Sequence, residues 1–310
     1  MLKQVIETLE ILDSPHASGA AVKAAVESSG PAEVTVKTVK SDKGSTDFVH
    51  ILIQGRSGKS TGGSAPTLGV IGRLGGLGAR PTRIGFTSDG DGAAAAVATA
   101  LKLSAMASVG DILEGDVIIT THICPDAPTR PHKPVEFMDS PVDINVMNQH
   151  EVTDEMDAIL SIDTTKGNRL VNVNGFAITP AIFDGYILRV PDDLVEIMEV
   201  STGKPCVTFP ITNQDITPYG NGVYHVNSIV QPATAAKVPV VGLAITTKSA
   251  VPGSATGASH EIDIAEASRF TIEVAKAFGK RAVKFIDQEE VDILHKLYGS
   301  LSHLYTSPAQ

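Results

Sequence analysis

The chain has 310 residues, of which 42% are apolar and 19% charged, and its formal net charge is −10. That length supports one large core, and the apolar share excludes a disordered chain. The acidity, without any dense Lys/Arg block, argues against nucleic acid or an anionic membrane surface as partner and otherwise reads as ordinary solubility.

Aromatic residues make up 5% and Trp is absent. The core must then be aliphatic and Ala-rich, which suits parallel strands covered by helices. Cys124 and Cys206 lie far apart and outside any CxxC pair. Neither a disulfide framework nor a Cys-type zinc site is indicated, and reduced thiols in a cytoplasm are the simple reading. The N-terminus, Met1 to Glu7, is amphipathic rather than signal-like, and no run of about 18 apolar residues predicts a membrane span.

Residues 1–29 read as helix, break, helix, with Asp13 or Ser14 available to cap the second helix and Pro15 suited to its first turn. Strands are predicted over 34–39 and 47–53, with a turn at Lys43-Gly44-Ser45-Thr46 between them. Residues 55–66 form a Gly/Ser/Lys-rich surface loop, and 67–74 a buried-type strand. A Gly-rich turn leads to a strand over Arg83–Thr87, then to Ser88-Asp89-Gly90-Asp91-Gly92 and a helix from Ala93 to about Met106. A strand over 116–121 runs into His122, Cys124 and Asp126. The Pro-rich stretch that follows is too long for an ordinary connection. Another strand closes at Asp163, and 176–212 hold further strand and helix signals. After a polar stretch at 213–228 come a strand over 238–245, a long loop, and helices over 261–279 and 288–304. The alternation predicts one α/β domain over 1–310, a three-layer sandwich with a mixed, mostly parallel sheet and an excursion at 127–157.

Ligand-binding residues in such sheets gather at the C-terminal ends of strands. Asp89, His122 with Asp126, Asp163 and His260 all fall at such positions. Carboxylates with imidazoles suit zinc, cobalt or manganese, one or two ions, which would activate a water. Each residue also has a plainer reading. Asp89 and Asp91 can cap the Ala-rich helix, Asp163 can be a turn residue, His260-Glu261 a surface pair, and His122 a satisfied buried histidine. Gly72-Arg73-Leu74-Gly75-Gly76-Leu77-Gly78 lacks the helix and acidic partner of a dinucleotide fingerprint. Gly55-Arg56-Ser57-Gly58-Lys59-Ser60 lacks the first Gly of a phosphate loop, and Cys124 two residues from His122 is a weak case for a thiol nucleophile.

The order Asp, acidic/His pair, Asp, His resembles the co-catalytic zinc aminopeptidase and carboxypeptidase superfamily, in its glutamyl-aminopeptidase branch. Ser14-Pro15-His16-Ala17-Ser18-Gly19 is similar to that branch's opening, and Lys43-Gly44-Ser45-Thr46-Asp47 to its strand-turn. Gly-Arg-Leu-Gly-Gly and Thr-His-Ile-Cys-Pro also resemble segments of the family called domain of unknown function 1177, a name that implies no activity. The zinc-peptidase resemblance implies a metal-dependent hydrolase of a peptide or amide bond in a small substrate, and a homo-oligomer. Asp89, His122, Asp163 and His260 would hold metal, Asp126 or Glu261 would assist the water, and Arg73 would bind a substrate carboxylate. Two departures stand against it. Arg73-Leu74-Gly75 replaces an early His-x-Asp, and the Glu-Glu pair is missing. They leave a non-catalytic, ligand- or partner-binding relative as the alternative.

Overall fold

The computed structural model describes residues 1–73, 75–78, 85–211, 228–250 and 256–304. Helices α1 (Leu2–Leu12) and α2 (Gly19–Ser29) open the chain. Ser18, rather than Asp13 or Ser14, caps α2 by accepting from the Ala21 amide. The Asp13 carboxylate instead accepts from the Phe86 amide at 2.6 Å.

Strands β1 (Glu33–Ser41) and β2 (Gly44–Ile53) form an antiparallel hairpin, longer than the sequence predicts, and only Asp42 and Lys43 are left in its turn. β3 (Leu68–Gly72), β4 (Val117–Ile123), β7 (Ala158–Thr164) and β10 (Val240–Thr246) are buried nearly throughout, as strands covered on both faces must be. Between β4 and β7 lie the short ribbon of β5 (Thr129–Arg130) and β6 (Phe137–Met138) and the helix α4 (Ile144–Glu151). β8 (Gly175–Phe183) and β9 (Tyr186–Ile187) precede β10.

The eight-stranded sheet runs β1-β2-β4-β3-β7-β10-β8-β9. Its parallel pairings are β4 with β3, β3 with β7, and β7 with β10. Both flanks are antiparallel, so the mostly parallel sheet expected from the strand–helix alternation is parallel at its centre. One face packs on α2, α3 (Asp91–Ser108) and α6 (Glu261–Gly279) through Val70, Ile119, Leu160, Ile162 and Leu243, with α1 and α5 (Asp192–Thr202) set against those helices. The other face carries a thinner layer. There Ile71, Ile159 and Ala244 meet Ile229, Val230 and Ala233 of a 3-10 segment, Ser228–Thr234, which α4 also touches.

α3 lies close over the sheet because its first turn has no bulk. A Cβ on Gly92 would stand 2.5 Å from the Ile162 carbonyl oxygen and 2.8 Å from that of Arg73. The last helix, α7 (Gln288–Tyr298), is shorter than its sequence pattern and stops at Gly299, whose φ of +76° is left-handed. The strand expected over Arg83–Thr87 falls partly outside the described residues. Its described part, Gly85–Thr87, is irregular and leads into a 3-10 turn, Ser88–Gly90. The polar stretch at 213–227 and part of the 247–259 loop also lie outside the described residues. Among the described residues no helix is long and apolar enough to cross a membrane.

Candidate functional site

Asp89 sits in the 3-10 turn ahead of α3, not at a strand end, and Asp91 is the first residue of α3. Neither caps the helix with its side chain: Gly90 is the N-cap, with no side-chain hydrogen bond. The Thr164 hydroxyl at the end of β7 donates to the Ser88 carbonyl at 2.6 Å, which ties the turn to the strand that carries Asp163. The Ser88 amide donates to the Thr256 carbonyl at 2.7 Å, drawing in the loop before α6. Asp89, Asp91 and Asp163 are thereby gathered at the C-terminal edge of the sheet, and all three are buried.

The cation in this group is Lys166, three residues beyond Asp163. Its side chain is 5% exposed, and Nζ lies 2.5 Å from Asp91 Oδ2. The other Asp91 oxygen accepts from the Ser259 hydroxyl at 2.5 Å. Asp163 accepts from the Thr164 amide at 2.7 Å and from the Ser228 hydroxyl at 3.4 Å. Among the described residues, the Asp89 carboxyl lies beside two further carboxylates, Asp163 and Asp91. Burial, then the charges of Asp163 and Asp91, push the Asp89 carboxyl well above the ordinary carboxylate value, with Lys166 offsetting part of the rise. Burial also raises Asp91, against Lys166, Ser259 and His260.

His122 and Arg73 belong to a different array. His122 Nδ1 lies 2.5 Å from Glu151 Oε1 at the end of α4, and Nε2 accepts from the Gly75 amide at 3.0 Å. Nε2 therefore carries no proton, and Nδ1–H donates to the carboxylate. Both ring nitrogens are used, which leaves none for a metal. Arg73 is 0% exposed, and its Nη1 donates to Glu151 Oε2 at 2.5 Å and to Asn148 Oδ1 at 3.2 Å. Burial works to raise the Glu151 pKa, but Arg73 and His122 overcome it and hold the group below the usual value. Arg73 is thus bound to its own chain rather than presented to a substrate carboxylate.

The remaining expected residues lie at the margin. His260 has a side chain that is 55% exposed, with Nδ1 3.1 Å from Asp263 Oδ2, although its charge still reaches Asp91. Glu261, the first residue of α6, is exposed. Asp126 is exposed too, and its charge acts on the Cys124 thiol. Burial pushes that thiol up to about 12, which removes it as a ready nucleophile. The Gly55–Ser60 loop grips its own chain: the amides of Gly55 and Ser60 donate to the Asp116 carboxylate, each at 2.8 Å. Among the described residues no group of three His, Cys, Asp or Glu side chains is placed to hold a metal ion, so the expected zinc, cobalt or manganese set does not assemble.

Sequence reasoning missed Lys166 and Glu151. Lys166 has a signal, the Asp-Thr-Thr-Lys run that leaves the end of β7. Glu151 has none, since it ends a short helix in the Pro-rich stretch.

The family described as Protein of unknown function (DUF1177) matches residues 37–308. No curated protein matches the chain. Among solved structures, it is similar to the LapA aminopeptidase of Legionella pneumophila, with a TM-score of 0.53 and 12% identity over 93% of this chain and 72% of that one. It is also similar to a glutaminyl cyclase of an Acidobacteriales bacterium, with a TM-score of 0.50 and 12% identity over 90% of this chain and 94% of that one. At these identities the likeness is one of fold, and that fold is the zinc-exopeptidase-like sandwich the sequence predicts.

Proposed function

We propose, for a chain that belongs to the DUF1177 family and has an aminopeptidase-like fold, that it hydrolyses a peptide or amide bond in a small substrate at the Asp89–Asp91–Asp163–Lys166 cluster. The observation that carries this reading is the buried convergence of three carboxylates and one ammonium, with one carboxyl driven strongly toward its protonated form. Carboxyl groups whose surroundings separate their proton affinities are how one site supplies both an acid and a base.

The roles follow from the environments. Asp163, hydrogen-bonded as a carboxylate, takes the proton from an attacking water. The water oxygen bonds to the amide carbon, and the oxyanion that forms faces the Lys166 ammonium. Asp89 gives its proton to the nitrogen as the C–N bond breaks. The proton that Asp163 took then passes through water to Asp89, which restores both groups. The expected divalent ion has no part in this reading, because the donor set among the described residues does not fit one.

The test is a panel of dipeptides and aminoacyl amides with the full-length chain in excess chelator. Hydrolysis should persist in the wild type and fall by about 100-fold or more in Asp89→Asn. Activity that chelator abolishes would overturn the assignment of roles. A second reading, in which the chain binds such molecules without cleaving them, is favoured by the closed Arg73–Glu151–His122 array. A wild type that binds dipeptides in calorimetry and cleaves none would establish it.

A further inference from the structure

We propose that two copies of this chain pair through their β1 edges, antiparallel about a two-fold axis at Thr35, so that Glu33 of each copy meets Lys37 of the other. β1 ends the sheet order and spans nine residues, Glu33–Ser41, whereas β9 at the opposite edge spans two. A long edge strand offers a row of backbone donors and acceptors to another chain, and an isologous pair of like edges satisfies both copies at once.

The hairpin decides which backbone groups face outward. Its two-residue turn closes on the Ser41–Gly44 pair, and a turn of that length closes on a hydrogen-bonded pair. Alternation back along the strand then turns Thr35 and Lys37 toward β2, and Val34 and Val36 toward the free edge. The Val34 carbonyl agrees with this: it accepts from Lys23 Nζ of α2 at 2.7 Å, and it keeps a second lone pair. With the axis at Thr35, Val34 of one copy and Val36 of the other exchange N–H···O=C bonds on each side of the axis.

Charge selects the register. Glu33, Thr35 and Lys37 are exposed and share the face opposite α2, while Val34 and Val36 pack on the α2 side. Glu33 accepts from the Gln54 side-chain amide at 2.8 Å, a donor without charge. Among the described residues Lys37 has no ion-pair partner. Neither charge is therefore balanced within the chain. An axis at Thr35 sets Glu33 across from Lys37 of the second copy twice over, and Val34 across from Val36 where α2 covers both. An axis at Lys37 would oppose two ammonium groups, and one at Val36 would leave both charges without an opposite. Directly opposed unlike charges stabilise a strand pair and like charges destabilise it, so the first register is preferred.

The full-length chain is taken through a concentration series by analytical ultracentrifugation and by amide hydrogen exchange. The wild type should pass from monomer to dimer, with a dissociation constant on the order of micromolar or weaker for so short a ladder. The Val34 and Val36 amides, fast to exchange in the monomer, should gain protection as the dimer forms. Glu33→Lys and Lys37→Glu should each weaken the dimer on the order of tenfold, and the two together should restore it. Thr35→Cys should cross-link into a dimer under a mild oxidant, because opposed residues of a non-hydrogen-bonded pair lie about 4.5 Å apart at Cα, within disulfide reach. Lys40→Cys, far from the axis, should not. A chain that stays monomeric at every concentration overturns the proposal. So does a dimer that neither single variant weakens, one that the double variant fails to recover, or one that Lys40→Cys cross-links as readily as Thr35→Cys.

Discussion

At the scale of single residues, Asp89 couples the site to stability. Its carboxyl keeps its proton to higher pH in the folded chain than in the unfolded one, because it is buried beside Asp163 and Asp91. The folded state therefore loses stability as pH rises from the ordinary carboxylate value through the raised one. Asp89→Asn removes that loss. It should stabilise the chain more at pH 8 than near pH 4, where the carboxyl keeps its proton in the folded state. Urea midpoints at the two pH values check this, and equal gains at both would contradict the stated charge arrangement. The sequence made Asp89, Asp163 and their place at the sheet edge readable, because an Asp after a strand and an Asp before an Ala-rich helix are local patterns. It could not show that His122 and Arg73 meet Glu151, which lies at the far end of the Pro-rich stretch. A side chain's partner is a tertiary fact, and both residues looked free for chemistry until α4 covered them.

At the scale of elements, α3 is seated by what it lacks. Replacing a helical Gly by Ala ordinarily gains about 1 kcal/mol. At Gly92 the new Cβ would press on two carbonyl oxygens of β7 and the segment after β3, backbone atoms that cannot turn aside. Gly92→Ala should therefore cost about 1–3 kcal/mol, the range for overpacking. Denaturant midpoints measure it, and an unchanged or higher midpoint would mean that α3 rides farther from the sheet. α6 was legible in the sequence to its end residues, because nineteen residues of apolar periodicity begin after a long loop. The segment before Asp89 was not. Its β-branched and apolar residues suggest a strand, but the described part hydrogen-bonds to Asp13 and Leu77 instead of joining the sheet. Propensity proposes a strand there, and the described part, Gly85–Thr87, belongs to none of the strands in the β1-β2-β4-β3-β7-β10-β8-β9 order.

At the scale of the whole molecule, burial falls off from the centre of the sheet outward. β3 and β10 are buried at every position and β7 at all but its last, whereas β1 is mostly exposed and α7 buries only Val291. Amide hydrogen exchange should accordingly be slowest in β3, β7 and β10 and fastest in β1 and α7. Protection of α7 equal to that of β7 would show that the helix is bound more firmly than its contacts imply. The composition predicted such an aliphatic centre. The antiparallel flanks were not visible, since pairing direction depends on which strands become neighbours. The sheet order also bears on how the chain reaches this state. β1 and β2 meet across a two-residue turn, but Leu68 must find Ala158, and Ile159 must find Val240. The edge hairpin can form within microseconds, whereas the central strands have to close long stretches of chain before any contact rewards them. β7, the strand that carries Asp163, thus has neighbours on both sides only once β10 has been made, to Thr246.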